Sequence, residues 1–202
     1  SVVMPAAATT PQARLVSSAP PPLSADHSRP DIASRKGSGN FGHWTVDAHG
    51  LPAYDYTTDE LTAGRAKQPE LDGSTDAWSQ LGNDLVIVDA DNLGYSELWS
   101  LDRIYERTNA YDAAAKHYAG GYGYLRTDGS AGSKTTVMST LYDDRPKDAR
   151  TQRRFGTGYF AKSVRSAGLS VDETDYSPWG DAPLLLDDVT VTNHTDHPVA
   201  AK

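Results

Sequence analysis

Asn40-Phe-Gly-His-Trp-Thr-Val-Asp-Ala-His-Gly-Leu-Pro-Ala-Tyr-Asp-Tyr-Thr-Thr-Asp59 is the first stretch whose apolar and aromatic side chains recur with a period that a backbone can use. Phe41, Trp44 and Val46 can cover a surface, and Asp47, Gly50, Leu51 and Pro52 read as a turn. Tyr54 and Tyr56 then alternate with Asp55 and Thr57, the mark of a strand with one buried face. The stretch predicts strand, turn, strand. By residue type its aromatics pack a core. An aromatic β surface sprinkled with Asp, Asn and Gln also suits a sugar, whose C–H faces stack while its hydroxyls need donors and acceptors.

Downstream the same grammar repeats. Leu85-Val-Ile-Val88 reads as a buried strand, Asp91-Asn-Leu-Gly94 as a turn and Tyr95-Ser-Glu-Leu-Trp99 as the returning strand. Tyr111 to Tyr118, with three alanines, favours a helical turn. Further strands are expected over Tyr122–Arg126, Thr135–Tyr142, Arg154–Val164, Leu169–Tyr176 and Leu184–Thr192, joined by Gly and Asp turns and by a charged linker from Asp143 to Gln152. Glu60 to Ser74 reads as a loop. Short strands at this spacing, without a βαβ alternation, predict an all-β antiparallel sandwich. Residues 1–39 hold six of the twelve prolines among Ala, Ser and Thr, and read as a tail or linker before a sandwich domain over 40–202.

With 202 residues the chain can bury one substantial core. Eleven tyrosines, four tryptophans and three phenylalanines suit β structure better than a helical bundle. The net charge of -8, with no basic run beyond Arg150–Arg154, excludes a nucleic-acid partner, which needs a concentrated basic face. No apolar run reaches the ~20 residues of a membrane span. Without cysteine there is neither a disulfide nor a thiolate metal site. His194-Thr-Asp-His197 resembles a metal motif but sits on an expected turn whose side chains diverge. Asn193-His-Thr-Asp-His-Pro198 is expected to turn the chain so that Val199–Lys202 begins a strand beside Leu184–Thr192. A sandwich stopping there would leave Val189 and Val191 poorly covered and an edge unpaired. The sandwich is therefore expected to be incomplete without the chain that follows.

Phe41-Gly-His-Trp44, Asp47-Ala-His-Gly-Leu-Pro-Ala-Tyr-Asp-Tyr-Thr57, Trp78-Ser-Gln-Leu-Gly-Asn-Asp84, Gly120-Gly-Tyr-Gly-Tyr124, Arg154-Phe-Gly-Thr-Gly-Tyr159, Pro178-Trp-Gly-Asp-Ala-Pro183 and Asp188-Val-Thr-Val-Thr-Asn193 are similar, in this order, to the opening of carbohydrate-active enzymes related to cellobiose phosphorylase, grouped around glycoside hydrolase family 94. The likeness runs from about Asn40 to the end. It departs at Ala77-Trp78-Ser79, where a Trp flanked by histidine would be expected. The resemblance implies a supersandwich-like N-terminal domain preceding an (α/α)6 barrel that carries the catalytic acid and, in phosphorylases, the phosphate site.

Cleavage of a glycosidic bond needs two carboxyl groups, or one acid with phosphate as nucleophile, across the bond. No such pair stands out here. Asp47, Asp59, Asp76, Asp84, Asp181, Asp187 and Asp188 read as turn and cap residues. The expectation is a non-catalytic sandwich, with no catalytic residue, metal or cofactor in this chain, belonging to a secreted or extracytoplasmic hydrolase or phosphorylase (alternatively a cytoplasmic one). Tyr54, Tyr56, Trp78, Gln80, Asn83 and Asp84 are the candidate wall of the sugar site. The alternative for Trp78 and Tyr54 is a plug against the barrel; either role has them buried only once that domain is present. Expected partners are an oligosaccharide or glycoside and the remaining catalytic domain or chain, with a homodimer as an option. The rival reading is a free-standing carbohydrate-binding or cell-surface sandwich.

Overall fold

The computed structural model describes residues 2–4, 42–56, 78–101, 106–109, 111–112, 117–118, 122–127, 136–141, 146 and 148–202. The expected loop over Glu60–Ser74 lies outside these residues, as does most of the expected tail. Among the described residues every regular element is a strand. In chain order they are β1 (Val2–Met4), β2 (Gly42–Val46), β3 (Pro52–Tyr56), β4 (Trp78–Gly82), β5 (Val86–Asp91), β6 (Ser96–Ser100), β7 (Glu106–Arg107) and β8 (Tyr111–Asp112). There follow β9 (His117–Tyr118), β10 (Tyr124–Thr127), β11 (Thr136–Ser139), β12 (Arg150–Gly156), β13 (Tyr159–Ser166), β14 (Leu169–Tyr176), β15 (Leu186–Asn193) and β16 (Val199–Ala201).

One layer is a six-stranded antiparallel sheet in the order β15-β14-β13-β12-β3-β2. Its first hairpin is the one read from Asn40–Asp59. The Asp47 carboxylate closes that turn, accepting from the backbone N–H of His49 (2.8 Å) and Leu51 (2.9 Å), as aspartate does in turns. Two four-stranded sheets, β4-β5-β6-β7 and β1-β16-β10-β11, form the other layer. They cover different ends of the same face of the large sheet. At one end Tyr56, Phe155 and Phe160 pack with Leu81, Val88, Ala90, Leu93 and Tyr95; at the other Val164, Leu169 and Val171 pack with Leu125, Met138 and Ala201. The molecule is thus an all-β antiparallel sandwich.

Four differences from the sequence reading have physical causes. A helix over Tyr111–Tyr118 would hold its ends about 10 Å apart; instead Tyr111 pairs with Tyr118 and Asp112 with His117 in a two-stranded ladder. Arg154–Val164 is not one strand, because Thr157-Gly158 folds it into the β12–β13 hairpin, and β12 begins at Arg150, inside the expected linker. Val2–Met4 pairs with β16, so the start of the expected tail belongs to a sheet. Finally, β16 does not return beside β15. The Asn193–Pro198 corner carries the chain across to the other layer, where β16 pairs with β1 and β10. Asn193 braces that corner by donating from Nδ2 to the His197 carbonyl (2.8 Å) and accepting from Thr195.

Cross-strand partners share a face, so Val189 and Val191 lie on the core side of the sheet with Glu173 and Val171. They are nevertheless 50% and 36% exposed, because the second layer stops short of β15. The same holds at the opposite edge, where Trp44 and Val46 stand 39% and 50% exposed beside Tyr54 and Pro52.

Between the two core clusters lies a buried ionic group. The Lys162 ammonium donates to Glu173 Oε1 (2.5 Å) and to the Gly94 carbonyl (3.1 Å), and lies 3.1 Å from Asp175 Oδ2. Ser96 Oγ donates to the same Asp175 oxygen, so β13 and β14 are tied to the β5–β6 turn. Gly94 takes φ of 95°, and a Cβ there would stand 2.1 Å from the Thr140 carbonyl oxygen, so no other residue fits without moving backbone.

Candidate functional site

Alternation along β4, β5 and β6 sends Leu81, Val86, Val88 and Ala90 inward. The intervening residues point away from the core. Register places Gln80 opposite Asp89, Asp89 opposite Glu97, and Ile87 opposite Trp99. The outer face of this sheet therefore gathers Trp78, Gln80, Asp89, Glu97 and Trp99 around a depression of about 610 Å³. Trp78 is 48% exposed, Trp99 is half-buried, and Glu97 is buried at the base near the Tyr95 hydroxyl (3.5 Å). Two indole faces, one amide and two carboxylates thus share one surface. Such a set can stack against an apolar ring face and pair with hydroxyl groups around its rim.

Of the six residues expected to wall a sugar site, Trp78 and Gln80 are in this depression. Asn83 is structural: its Nδ2 donates to the carbonyls of Pro178 (3.0 Å) and Ala182 (2.6 Å), and its Oδ1 accepts from Leu85 and Val86. It binds the β4–β5 turn to the loop bearing Trp179, which is fully exposed. Asp84 is exposed, and its backbone N–H donates to the Gly180 carbonyl (3.1 Å). Tyr54 and Tyr56 belong to the other layer. Tyr56 is 3% exposed in the core beneath Leu81, and Tyr54 meets Trp44 edge-to-face at 5.3 Å. Tyr56 is thus covered by its own chain, while Tyr54 is half-buried and Trp78 stays exposed. The two segments do approach each other across the core, but the side chains of Trp78 and Gln80 leave on the opposite side of their sheet.

Trp99, Asp89 and Glu97 were not among the expected residues. Their signal was in the hairpin: pairing Leu85–Val88 with Tyr95–Trp99 through the Asp91–Gly94 turn puts Asp89 across from Glu97, on the side away from Val88.

The other charged clusters have structural explanations. Glu173, Asp175 and Asp187 bring carboxylate oxygens within 4.8 Å of one another, but Lys162 already occupies the cation's place among them. Burial, then the charges of Glu173 and Asp175, push the Asp187 carboxyl up to about 6. His194 Nε2 meets Ser170 Oγ (3.0 Å) whereas His197 Nδ1 meets Asp196 (2.9 Å), so the two histidines do not converge. Arg153 is buried with its guanidinium 5.0 Å from the Tyr56 ring centroid, and Arg154 is held by Asp55 within the sheet. No helix among the described residues is long and apolar enough to cross a membrane. No family model and no curated protein matches the chain, which leaves the two-indole depression as the feature from which a function can be argued.

Proposed function

We propose that the outer face of the β4–β7 sheet binds carbohydrate, and that the chain is the sugar-contacting sandwich of a glycoside-cleaving or glycosyl-transferring protein. One observation carries the reading: Trp78 and Trp99 share a depression with Gln80, Asp89 and Glu97. Indole faces suit the C–H faces of a pyranose, while carboxylates and an amide supply the paired acceptors and donors that its hydroxyls lose on leaving water. The carboxylates do not make this an anion site, and the half-exposed Trp78 does not need a partner strand to be useful. The resemblance to enzymes of the cellobiose phosphorylase group supplies the larger frame, in which the cleavage chemistry belongs to a barrel outside these 202 residues.

The test is titration calorimetry and tryptophan fluorescence of the 202-residue chain with cellohexaose and with maltohexaose. Binding of either that changes the tryptophan emission, weakened about 10- to 100-fold by Trp78→Ala at unchanged melting temperature, supports the reading. An emission change indifferent to Trp78→Ala, or absent for both sugars, overturns it.

A further inference from the structure

The opposite outer surface of the sandwich has a second depression, of about 560 Å³, on the solvent side of the six-stranded sheet. Register builds it from two parallel rows. One runs His43, Asp55, Arg154, Ala161, Thr174 across β2, β3, β12, β13 and β14. The next runs Gln152, Ser163, Asp172. Five strands at ~4.8 Å spacing make the trough about 19 Å long. Its floor is low where Ala161 and Ser163 stand between taller neighbours.

One ion pair in this trough is held in place before any ligand arrives. Asp55 grips Arg154 through two bonds, from Nε (2.5 Å) and Nη2 (2.8 Å), and that contact raises the guanidinium pKa. His43 Nε2 lies 3.8 Å from the same carboxylate. A planar ion pair of this kind keeps donors and acceptors pointed outward at little entropic cost on binding.

The chemistry of the lining selects the ligand. The charge of Arg154 is balanced by Asp55, and Asp172 adds a further carboxylate, so phosphate or another anion would meet no excess of positive charge. Asp55 is committed to Arg154 and Asp172 lies a row away, so no set of carboxylates closes on a metal ion. Apart from Ala161, the outward side chains of the two rows are all polar, so an apolar ligand finds few apolar side chains to pack against. The trough lies on the face of the sheet, where β3, β12, β13 and β14 already exchange their ladder bonds with neighbours on both sides, so a peptide cannot add there as a strand. A neutral, elongated molecule dense in hydroxyl groups is what remains.

We infer that this trough is a second oligosaccharide site, in which the Asp55–Arg154 pair, Gln152 and Asp172 hold the hydroxyls of a short neutral glycan laid across the strands. The choice of glycan rests on the same reading of the chain as a sugar-contacting sandwich, but the residues are independent of the indole depression. Because the two sites lie on opposite outer faces, one molecule holds two glycan segments at once.

Calorimetry and tryptophan fluorescence with cellohexaose and maltohexaose test this together. The trough has no indole, so sugar bound there is silent in fluorescence, whereas sugar on Trp78 and Trp99 changes the emission. The expected stoichiometry is two per chain. Ser163→Tyr, which fills the trough from the solvent side, should remove one site and leave the fluorescence change intact. The double variant Gln152→Ala/Asp172→Ala, which removes lining without adding bulk, should weaken the silent site at least 10-fold. Trp78→Ala should leave the silent site alone. One sugar per chain, lost in Trp78→Ala and indifferent to both trough variants, overturns the inference while the indole site stands. Binding lost only to the trough variants supports the trough and overturns the indole site. No binding of either sugar overturns both.

Discussion

Asp187 shows how one side chain can tune the stability of this sheet. It faces Asp175 across the β14–β15 ladder, with Glu173 beside it, and the Lys162 ammonium offsets part of their charge. Its carboxyl ionises near 3.8 in the unfolded chain but near 6 in the folded one. The folded state therefore holds this proton more tightly. Its contribution to stability is full below about pH 4, declines as pH rises through 6, and is absent above. Asp187→Asn keeps a group that can donate to Asp175 and cannot ionise. The melting temperature of the variant should fall less than that of the parent between pH 4 and 7, and should exceed it at pH 7. Identical pH profiles for the two proteins would count against this account. The burial of Lys162, Glu173 and Asp175 was not legible in the sequence, where Ser163, Asp172 and Thr174 stand beside them and make them look like ordinary polar positions. Only register reveals that Lys162 and Glu173 replace apolar residues on the inward face.

At the scale of elements, the hairpins were the readable part. The β2–β3 and β5–β6 turns are announced by Asp and Gly at the positions where backbone N–H groups need an acceptor or the chain needs left-handed φ. Gly94 has a further task, since its carbonyl receives Lys162 and its missing side chain lets the end of β11 approach. Gly94→Ala combines a left-handed φ with a backbone clash and should cost about 2 kcal/mol or more, measured by urea unfolding. A loss below about 0.5 kcal/mol would show that the turn relaxes freely. What could not be read was which hairpins share a sheet. The pairing of β3 with β12 joins residues about a hundred positions apart, and nothing local to either strand specifies it. The indole depression was half legible for the same reason. Trp78 and Gln80 lie in one aromatic stretch, whereas Trp99 joins them only through the fold.

For the whole molecule, the decisive fact is that a wide sheet is covered by a narrower pair. The inward residues of the central strands are sealed, while those of β2 and β15 are not. Mutational sensitivity should follow this coverage rather than side-chain type. Val171→Ala should cost about 2 kcal/mol, as removal of buried methyl groups does, and Val189→Ala, two positions across the ladder and half-exposed, less than about 1 kcal/mol. Equal losses would mean that β15 is covered in solution by something that buries Val189.

The ionic group between the two cores has a consequence for how the ladder assembles. Strands β13 and β14 are each eight residues long, and apart from Lys162, Glu173 and Asp175 their inward positions would tolerate many alignments. Sliding one strand by a single residue would turn its charged side chain out to water and strand its mate in the interior. Sliding by two would part the ammonium from its carboxylates while both stayed dry. Each mistake is penalised at once and locally, so three salt-bridging residues proofread the alignment of a surface that valines and serines alone would leave ambiguous.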